Sequence, residues 1–245
     1  MGRAFRAIWL GILDAYGELF PAVGMNLLWF VLTIPFSLLG LGIVQIAAGG
    51  QPDADTQTTA FLVYGVMLAL WLVTGPNPLA AGIHLWANRL VKEERVEFSL
   101  FWEGLRTYWR SALVLFLLSG VGLMLLVANA RFYLDSQYVP LKIFGVVWVY
   151  AIVLWLSMQI YLLPLLVEQD DKRLRLVLRN AFFLMMANIL PTLVIFVVLT
   201  VLVILSIALS LLIVLLTAVV VALIAARTLQ LLLEKYRPAA APQQD

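Results

Sequence analysis

Long apolar runs without a charged residue alternate with short polar segments along most of this chain. Two of these uncharged runs extend from Asn26 to Gln51 and from Thr192 to Ala226. An uncharged apolar run of about 18 residues or more is typical of a helix that crosses a membrane. The pattern therefore predicts an all-α fold, a polytopic membrane helix bundle of about six transmembrane helices that form a single domain over 1–237.

The predicted spans cover residues 22–48, 60–91, 111–130, 141–167, 192–208 and 210–230, and the second span is broken at 75–78. A polar loop, Gln51 to Thr59, separates the first two spans. The last two spans share one apolar run that would be about 52 Å long as a single helix, against a hydrocarbon core of about 30 Å. We therefore place a tight turn near Ser206 to Ser210. The tail 238–245, rich in Pro, Ala and Gln, is predicted to be disordered.

An amphipathic segment, here called an elbow, precedes spans 1, 3 and 5. In each elbow apolar residues recur at helical spacing: Phe5, Ile8, Trp9, Ile12 and Tyr16; Phe98, Phe101, Trp102, Leu105, Tyr108 and Trp109; Leu174, Leu178, Phe182 and Phe183. Helices of this kind lie in the membrane interface with their apolar face in the acyl chains. The elbows end alike, at Leu19-Phe20-Pro21, Tyr108-Trp109-Arg110 and Ile189-Leu190-Pro191. We hypothesise a weak threefold repeat of one elbow and two spans.

The distribution of charge predicts the orientation of these spans. Only 12% of the residues are charged, 64% are hydrophobic, and the mean hydropathy is +1.01. In the six-span arrangement fourteen of the 16 basic residues lie on one side of the membrane, and only Arg131 and Lys142 lie on the other. The positive-inside rule places the basic side in the cytoplasm. We therefore expect a multi-pass protein of the cell membrane with both termini cytoplasmic.

The residues available for chemistry are few. The chain has no cysteine and one histidine, so a thiolate site and a multi-histidine metal site are excluded. No paired carboxylates, Ser/His/Asp set or phosphate-binding loop is visible, and we expect no enzymatic activity and no cofactor. The basic residues are scattered along one membrane face, where lipid headgroups are the nearest anions, so the expected partner is the lipid bilayer and not a nucleic acid.

The sharpest local feature interrupts the second span at Thr74, Gly75, Pro76, Asn77 and Pro78. Prolines remove backbone donors, and Gly75 permits unusual backbone dihedrals. Broken helices build the binding sites of many transporters, but kinks are commoner than sites, and we favour a simple structural kink with Asn77 as the cap of the second half. His84 lies just inside that second half, where it could titrate near neutral pH; we favour a simply hydrogen-bonded side chain.

A basic cluster at the third elbow forms a second candidate site. Its residues are Lys172, Arg173, Arg175 and Arg179. Cations near the membrane surface attract anionic lipids by about 1 kcal/mol each, so these four residues are candidate anionic-lipid contacts. The interpretation we favour is that the elbows only orient the spans.

No Asp, Glu, Lys or Arg lies at the middle of a predicted span, and five further polar residues within or near the spans are uncharged amides. Each of them can form one interhelical hydrogen bond: Asn26, Gln45, Asn129, Gln159 and Asn188. Proton- and ion-coupled pumps usually carry an ionisable residue at mid-membrane, and none lies there in this arrangement. A coupled transporter is therefore disfavoured.

Short motifs spread over most of the chain resemble the YesL-like family of predicted bacterial integral membrane proteins, a domain of unknown function. These motifs are Asn26-Leu27-Leu28-Trp29, Thr74-Gly75-Pro76 with Leu79-Ala80-Ala81-Gly82, Trp86 with Arg89-Leu90-Val91-Lys92, the aromatic segment Phe98 to Trp109, Arg179-Asn180-Ala181 and Asn188-Ile189-Leu190-Pro191. The chain departs from the family pattern because Leu41 to Val73 separates two elements that lie close together in the family. The resemblance implies a multi-span bacterial membrane protein, often suspected of a role near carbohydrate uptake, and implies no catalytic residues.

Two functions follow from this reading of the sequence. The first is a non-enzymatic accessory or assembly component of a membrane transport complex, with other membrane proteins or transporter subunits as partners. The alternative is a small permease that uses the broken helix around Asn77 and His84. A water-accessible cavity that reaches Asn77 would favour the permease, and a dry, tightly packed bundle with no cavity there would remove its motivation.

Overall fold

The computed structural model describes residues 2–49 and 53–236, and the tail prediction for 238–245 lies outside them. Within these residues the chain forms ten helices and no strand, which confirms the all-α prediction. The helices are α1 (Gly2–Gly17), α2 (Leu19–Ala48), α3 (Ala54–Thr74), α4 (Pro78–Val91), α5 (Ser99–Leu134), α6 (Val139–Glu168), α7 (Leu174–Ala187), α8 (Ile189–Leu209), α9 (Leu211–Leu215) and α10 (Thr217–Tyr236).

Six of the described helices are long and apolar enough to cross a membrane: α2, α3, α5, α6, α8 and α10. The last apolar run is divided into α8, α9 and α10, with one break at Ser210, whose φ is 49°, and another at Leu216. Together these six helices indicate a multi-pass helical membrane protein.

The structure corrects the start of the second span. Helix α3 begins at Ala54, not near Ala60, so residues 54–59 are helical and do not form a loop. Asp53 caps the helix, because its carboxylate accepts hydrogen bonds from Thr56 N at 2.7 Å and from Thr56 Oγ1 at 2.8 Å. Asp53 is an N-cap residue, and a prediction based only on the hydrophobic pattern does not detect such a signal.

The elbows also differ from one another. The first and third are the separate helices α1 and α7, whereas the second is continuous with its span in the 36-residue helix α5. Pro21 and Pro191 lack the N–H that would continue the preceding helix, and the chain breaks three residues before each of them. Ser111 stands at the corresponding place in α5 and keeps its N–H, so the helix runs on.

Burial is concentrated at one end of the bundle, here called the packed end. It consists of α1, α4, residues 99–119 of α5, residues 157–168 of α6, α7 and α10. In α6 every residue from Ser157 to Val167 is buried, and so is every residue from Ala80 to Ala87 of α4. In α10, 72% of the most apolar 18-residue stretch is buried. These segments are apolar all round, which is typical of helices at the centre of a protein core.

Each elbow packs on an inward-facing segment of this core. Helix α1 packs on α10, the first turns of α5 pack on α4, and α7 packs on α6. The α1–α10 contact joins the two ends of the chain. The face turned to the core carries mainly small side chains in α1, such as Ala4, Ala7 and Gly11, while Phe5 and Trp9 are exposed.

The first and third units repeat each other closely. Seven positions are buried in both, displaced by 170 residues: Ala7, Gly11, Ala15, Ala22, Met25, Trp29 and Thr33, against Val177, Ala181, Met185, Thr192, Ile195, Leu199 and Val203. The hinges match as well, since Glu18 has φ −115° and ψ 42° and Asn188 has φ −138° and ψ 43°. In the second unit Ala112, Leu115 and Ser119 are buried at the spacing of Ala22, Met25 and Trp29. The burial pattern supports the repeat hypothesis.

The opposite end of the bundle is open. Residues 139–156 of α6 contain one buried residue, Gly145, and residues 120–129 of α5 contain none. These two segments pair as an antiparallel hairpin, in which the Trp155 indole N–H donates to Ser119 O at 3.1 Å. We call residues 120–134 of α5 with 139–156 of α6 the α5–α6 arm.

The packed end depends on a close crossing of α4 and α5. A Cβ at Gly104 would lie 2.9 Å from Gly82 Cα and 2.9 Å from Leu85 Cβ, so neither helix can carry a larger residue there without moving. By contrast, a Cβ at Gly65 of α3 would meet nothing within 4 Å.

We expect Gly104→Ala to lower the free energy of unfolding by about 1–3 kcal/mol, the usual range for overpacking a tight contact. Gly65→Ala is the matched control, and its stability should be unchanged or up to about 1 kcal/mol higher, since Ala favours helix. Unfolding in mixed detergent micelles, followed by circular dichroism, measures both. Equal stability of the two variants would contradict the α4–α5 crossing.

Candidate functional site

The helix break between α3 and α4 is repaired by one side chain. Pro76 has no N–H, so Leu72 O loses the hydrogen bond that a regular helix would give it. The amide of Asn77 donates to Leu72 O at 2.7 Å in its place. The backbone N–H of Gly75 still reaches Trp71 O at 2.8 Å, and that bond closes α3.

The same Asn77 side chain begins the next helix. Its Oδ1 accepts from Ala80 N at 2.9 Å, and Pro78 occupies the first helical position, where a missing N–H costs nothing. Asn77 is buried, and both ends of its amide are bound to backbone. Its hydrogen-bonding groups are therefore used in holding α3 to α4.

The role of Gly75 differs from the sequence expectation. Its φ is −75° and its ψ is 157°, an ordinary extended conformation. Glycine is needed here because a Cβ would lie 2.4 Å from Trp71 O. Gly75 and Pro76 are buried, and Thr74 and Pro78 at their two sides are half-buried.

His84 lies in α4, two turns beyond the break. It is buried, and its Nδ1 has no hydrogen-bond partner in the described part of the chain. The expectation of a simply hydrogen-bonded histidine is therefore wrong for Nδ1. Seven residues separate Asn77 from His84, a rise of about 10 Å along a helix. The two side chains do not form one polar site.

The basic cluster at the third elbow is partly committed to the protein. Lys172 Nζ donates to Val167 O at 2.7 Å and lies 5.4 Å from the centre of the Tyr108 ring. Arg173 forms an ion pair with Asp171. The hydrogen bonds that the Arg173 side chain and backbone N–H donate to the Asp171 carboxyl lower its pKa. Arg175 and Arg179 are exposed and have no ion pair among residues 2–49 and 53–236. Of the four predicted lipid contacts, these two have free guanidinium groups.

Sequence reasoning missed an ion pair that joins the two ends of the chain. Arg227 of α10 donates to both carboxylate oxygens of Asp14 of α1, from Nε at 2.6 Å and from Nη2 at 2.8 Å. The guanidinium also donates to Gln230 Oε1 at 2.9 Å. Both charged side chains are mostly buried, at 15% and 16% exposure. No local pattern could have indicated a contact between residues so far apart in sequence.

A second polar contact joins α4 to α6 at the same end. Lys92 Nζ lies 2.6 Å from Glu168 Oε2, and Asn88 Nδ2 donates to that oxygen at 2.9 Å. Asn88, Lys92, Glu168 and Gln230 line a small cavity of about 90 Å³. Of its charged groups, Lys92 and Glu168 pair across helices.

Asn26 has a larger role than the single interhelical bond expected of it. Its amide donates to Ile213 O at 2.9 Å and Val214 O at 2.7 Å, and its oxygen accepts from Ala218 N at 2.8 Å. It thus satisfies the backbone at the junction of α9 and α10 from a different helix. Asn188 also bonds across helices, whereas Asn129 and Gln159 donate to carbonyls of their own helices.

An apolar groove reaches the helix break from the side of the bundle. It has a volume of about 540 Å³, is lined by residues of α2, α3, α4 and α5, and includes Thr33, Asn77, Arg106, Trp109 and Leu113. We call it the α2–α5 groove. His84 is not among its lining residues. The structure therefore brings Asn77 and Arg106 to one surface, a pairing that the sequence did not predict.

A scan against family models finds no match for the chain, and searches of curated proteins and of solved structures find no match either. Nothing in these comparisons bears on the YesL-like resemblance, which stays a prediction. The functional argument depends on the geometry of the chain itself.

Replacing Asn77 tests its structural role. Asn77→Ala leaves Leu72 O and Ala80 N without partners in a buried place, so we expect the free energy of unfolding to fall by about 1–3 kcal/mol. Asn77→Asp keeps the cap acceptor but turns a carboxylate oxygen toward Leu72 O in a buried place, so we expect it to lower the free energy of unfolding at least as much as Asn77→Ala.

Asn129→Ala is the matched control, because Asn129 is half-buried and its exposed side-chain hydrogen bond goes only to Leu125 O of its own helix. We expect a change within about 0.5 kcal/mol. If Asn77→Ala proved as stable as this control, the account of the break would be wrong.

Proposed function

We propose that the chain is a non-enzymatic accessory or assembly component of a membrane transport complex, located in the cell membrane with the packed end in the cytoplasm. The α5–α6 arm is the observation that carries this proposal. It projects from the packed end as a two-helix hairpin with large apolar side chains on its outside. Met124 is 67% exposed, Ile143 65% and Tyr150 68%.

The arm suits a transmembrane partner. Hydrocarbon provides no hydrophobic driving force between helices, so association there depends on packing surfaces and a few polar contacts. The hairpin is held at its base by the packed end, and its two helices already pair. It can therefore present such a surface to a partner without losing further conformational entropy of its backbone. Binding to a partner subunit would bury side chains that the chain alone leaves exposed.

Several polar groups at or beside the packed end bind one another or the backbone, which favours a structural role for that end over a chemical one. Asp14 and Arg227, Lys92 and Glu168, and the amides of Asn26 and Asn77 all bind groups of the same chain. Each of these contacts joins helices or closes a helix break. The packed end in this proposal is a rigid base for the arm.

A small permease that uses the broken helix around Asn77 and His84 is the second candidate. The α2–α5 groove favours it because the groove reaches Asn77. Against this, the amide of Asn77 is bound to Leu72 O and Ala80 N, and His84 lies outside the groove. A permease needs no partner, so a search for partners at the arm separates the two candidates.

Site-specific cross-linking in native membranes tests the accessory role. A photo-reactive amino acid placed at Met124 or Ile143 should yield a discrete adduct with a subunit of a membrane transport complex. The same residue at Leu162, which is fully buried in the packed end, is the control and should cross-link within the chain only.

The amount of the captured subunit gives the second readout. It should fall in cells that lack this chain, because an assembly component stabilises its partner. Adducts only with lipid or with a second copy, or an unchanged amount of the captured subunit, would contradict the proposal.

A further inference from the structure

Among the residues that line the α2–α5 groove, Arg106 carries the only charge, and its guanidinium is free to bind a ligand. The Thr33 hydroxyl donates to Trp29 O at 2.7 Å, and the Asn77 amide is used at the helix break. Arg106 is exposed and has no ion pair in the part of the chain that the structure describes. A ligand of this groove must therefore be apolar along most of its length and anionic at the end that meets Arg106.

The rim beside Arg106 carries a second cation and an aromatic ring. Arg110 lies one turn further along α5, and its guanidinium carbon is 5.4 Å from the centre of the Trp109 ring. Trp109 is 44% exposed and lines the groove. The nearest acidic residue of α5, Glu103, interacts electrostatically with Arg89 of α4. The rim is therefore a basic, aromatic edge of the kind found at the level of lipid headgroups.

From this geometry we propose that the α2–α5 groove binds one phospholipid with an anionic headgroup. One acyl chain occupies the apolar groove, and the phosphate meets Arg106 with Arg110 beside it. A volume of about 540 Å³ is within the usual range of ligand pockets, about 300–1,000 Å³. Guanidinium groups bind phosphate oxygens with two parallel hydrogen bonds, which favours arginine at such a rim.

This site is separate from the basic cluster of the third elbow and from the arm. In that cluster Lys172 and Arg173 already bind protein groups, and the exposed Arg175 does not line the α2–α5 groove. The lipid site also requires no partner protein. Its failure would leave the proposed accessory function standing, and the reverse also holds.

Lipid retention by the purified full-length chain tests the proposal. The chain in mild detergent is mixed with phosphatidylglycerol and phosphatidylcholine of identical acyl chains, and the retained lipids are counted by native mass spectrometry. Wild type should retain phosphatidylglycerol in preference to phosphatidylcholine. Arg106→Gln should lower that preference about fivefold, the effect expected for one cation near the membrane surface.

Two further variants separate the headgroup from the acyl chain. Leu113→Trp fills the groove and should lower retention of both lipids. Arg175→Gln removes an exposed, unpaired cation elsewhere and should leave the preference as in wild type.

The proposal is overturned if Arg106→Gln retains the wild-type preference, or if Arg106→Gln and Arg175→Gln lower it equally. A photo-reactive residue at Leu113 that captures a protein helix in native membranes, and not a lipid, would also overturn it. Arg106 and Arg175 are both exposed, so these two variants decide the matter even if Leu113→Trp does not fold.

Discussion

An apolar surrounding offers no hydrogen bonds to a backbone, so every carbonyl and N–H freed at a helix break must find its partner within the chain. Two asparagines meet this constraint. Asn77 restores the bond that Pro76 removes and caps α4, and Asn26 reaches from α2 to the junction of α9 and α10. At both breaks an asparagine binds backbone groups that would otherwise be unpaired, and the arrangement of α4 and α10 depends on these bonds.

The contrast between the two ends follows from the same physics. At the packed end small residues such as Gly82 and Gly104 let helices cross closely, and the Asp14–Arg227 pair joins the first helix to the last. At the open end only Ala130 and Gly145 of the α5–α6 arm are buried. Hydrocarbon gives apolar side chains no reason to leave it, so such a surface is stable in a bilayer. The arm and the α2–α5 groove are two of the apolar surfaces that the chain leaves exposed.

Hydrophobic periodicity predicts the helices because it depends on neighbours along the chain. The prolines Pro21 and Pro191 explain why α1 and α7 are separate helices, whereas Ser111 at the corresponding place lets α5 run on. The contact of Asp14 with Arg227 joins residues 213 positions apart, and the groove forms only when Asn77 and Arg106 are brought together. The repeat of α1–α2 in α7–α8 retains its burial pattern while few residues apart from the hinge proline are shared, because burial constrains size and polarity more than identity. Long-range contacts of this kind are not encoded in any local pattern.

The central claim is that the apolar helices cross a bilayer with the packed end on one side. Because the chain has no cysteine, single cysteines can report their side. Gln137→Cys lies between α5 and α6 at the open end, and Asp170→Cys lies between α6 and α7 at the packed end. In intact cells a membrane-impermeant maleimide should label Gln137→Cys and should reach Asp170→Cys only after permeabilisation. Labelling of both from the same side would contradict the account.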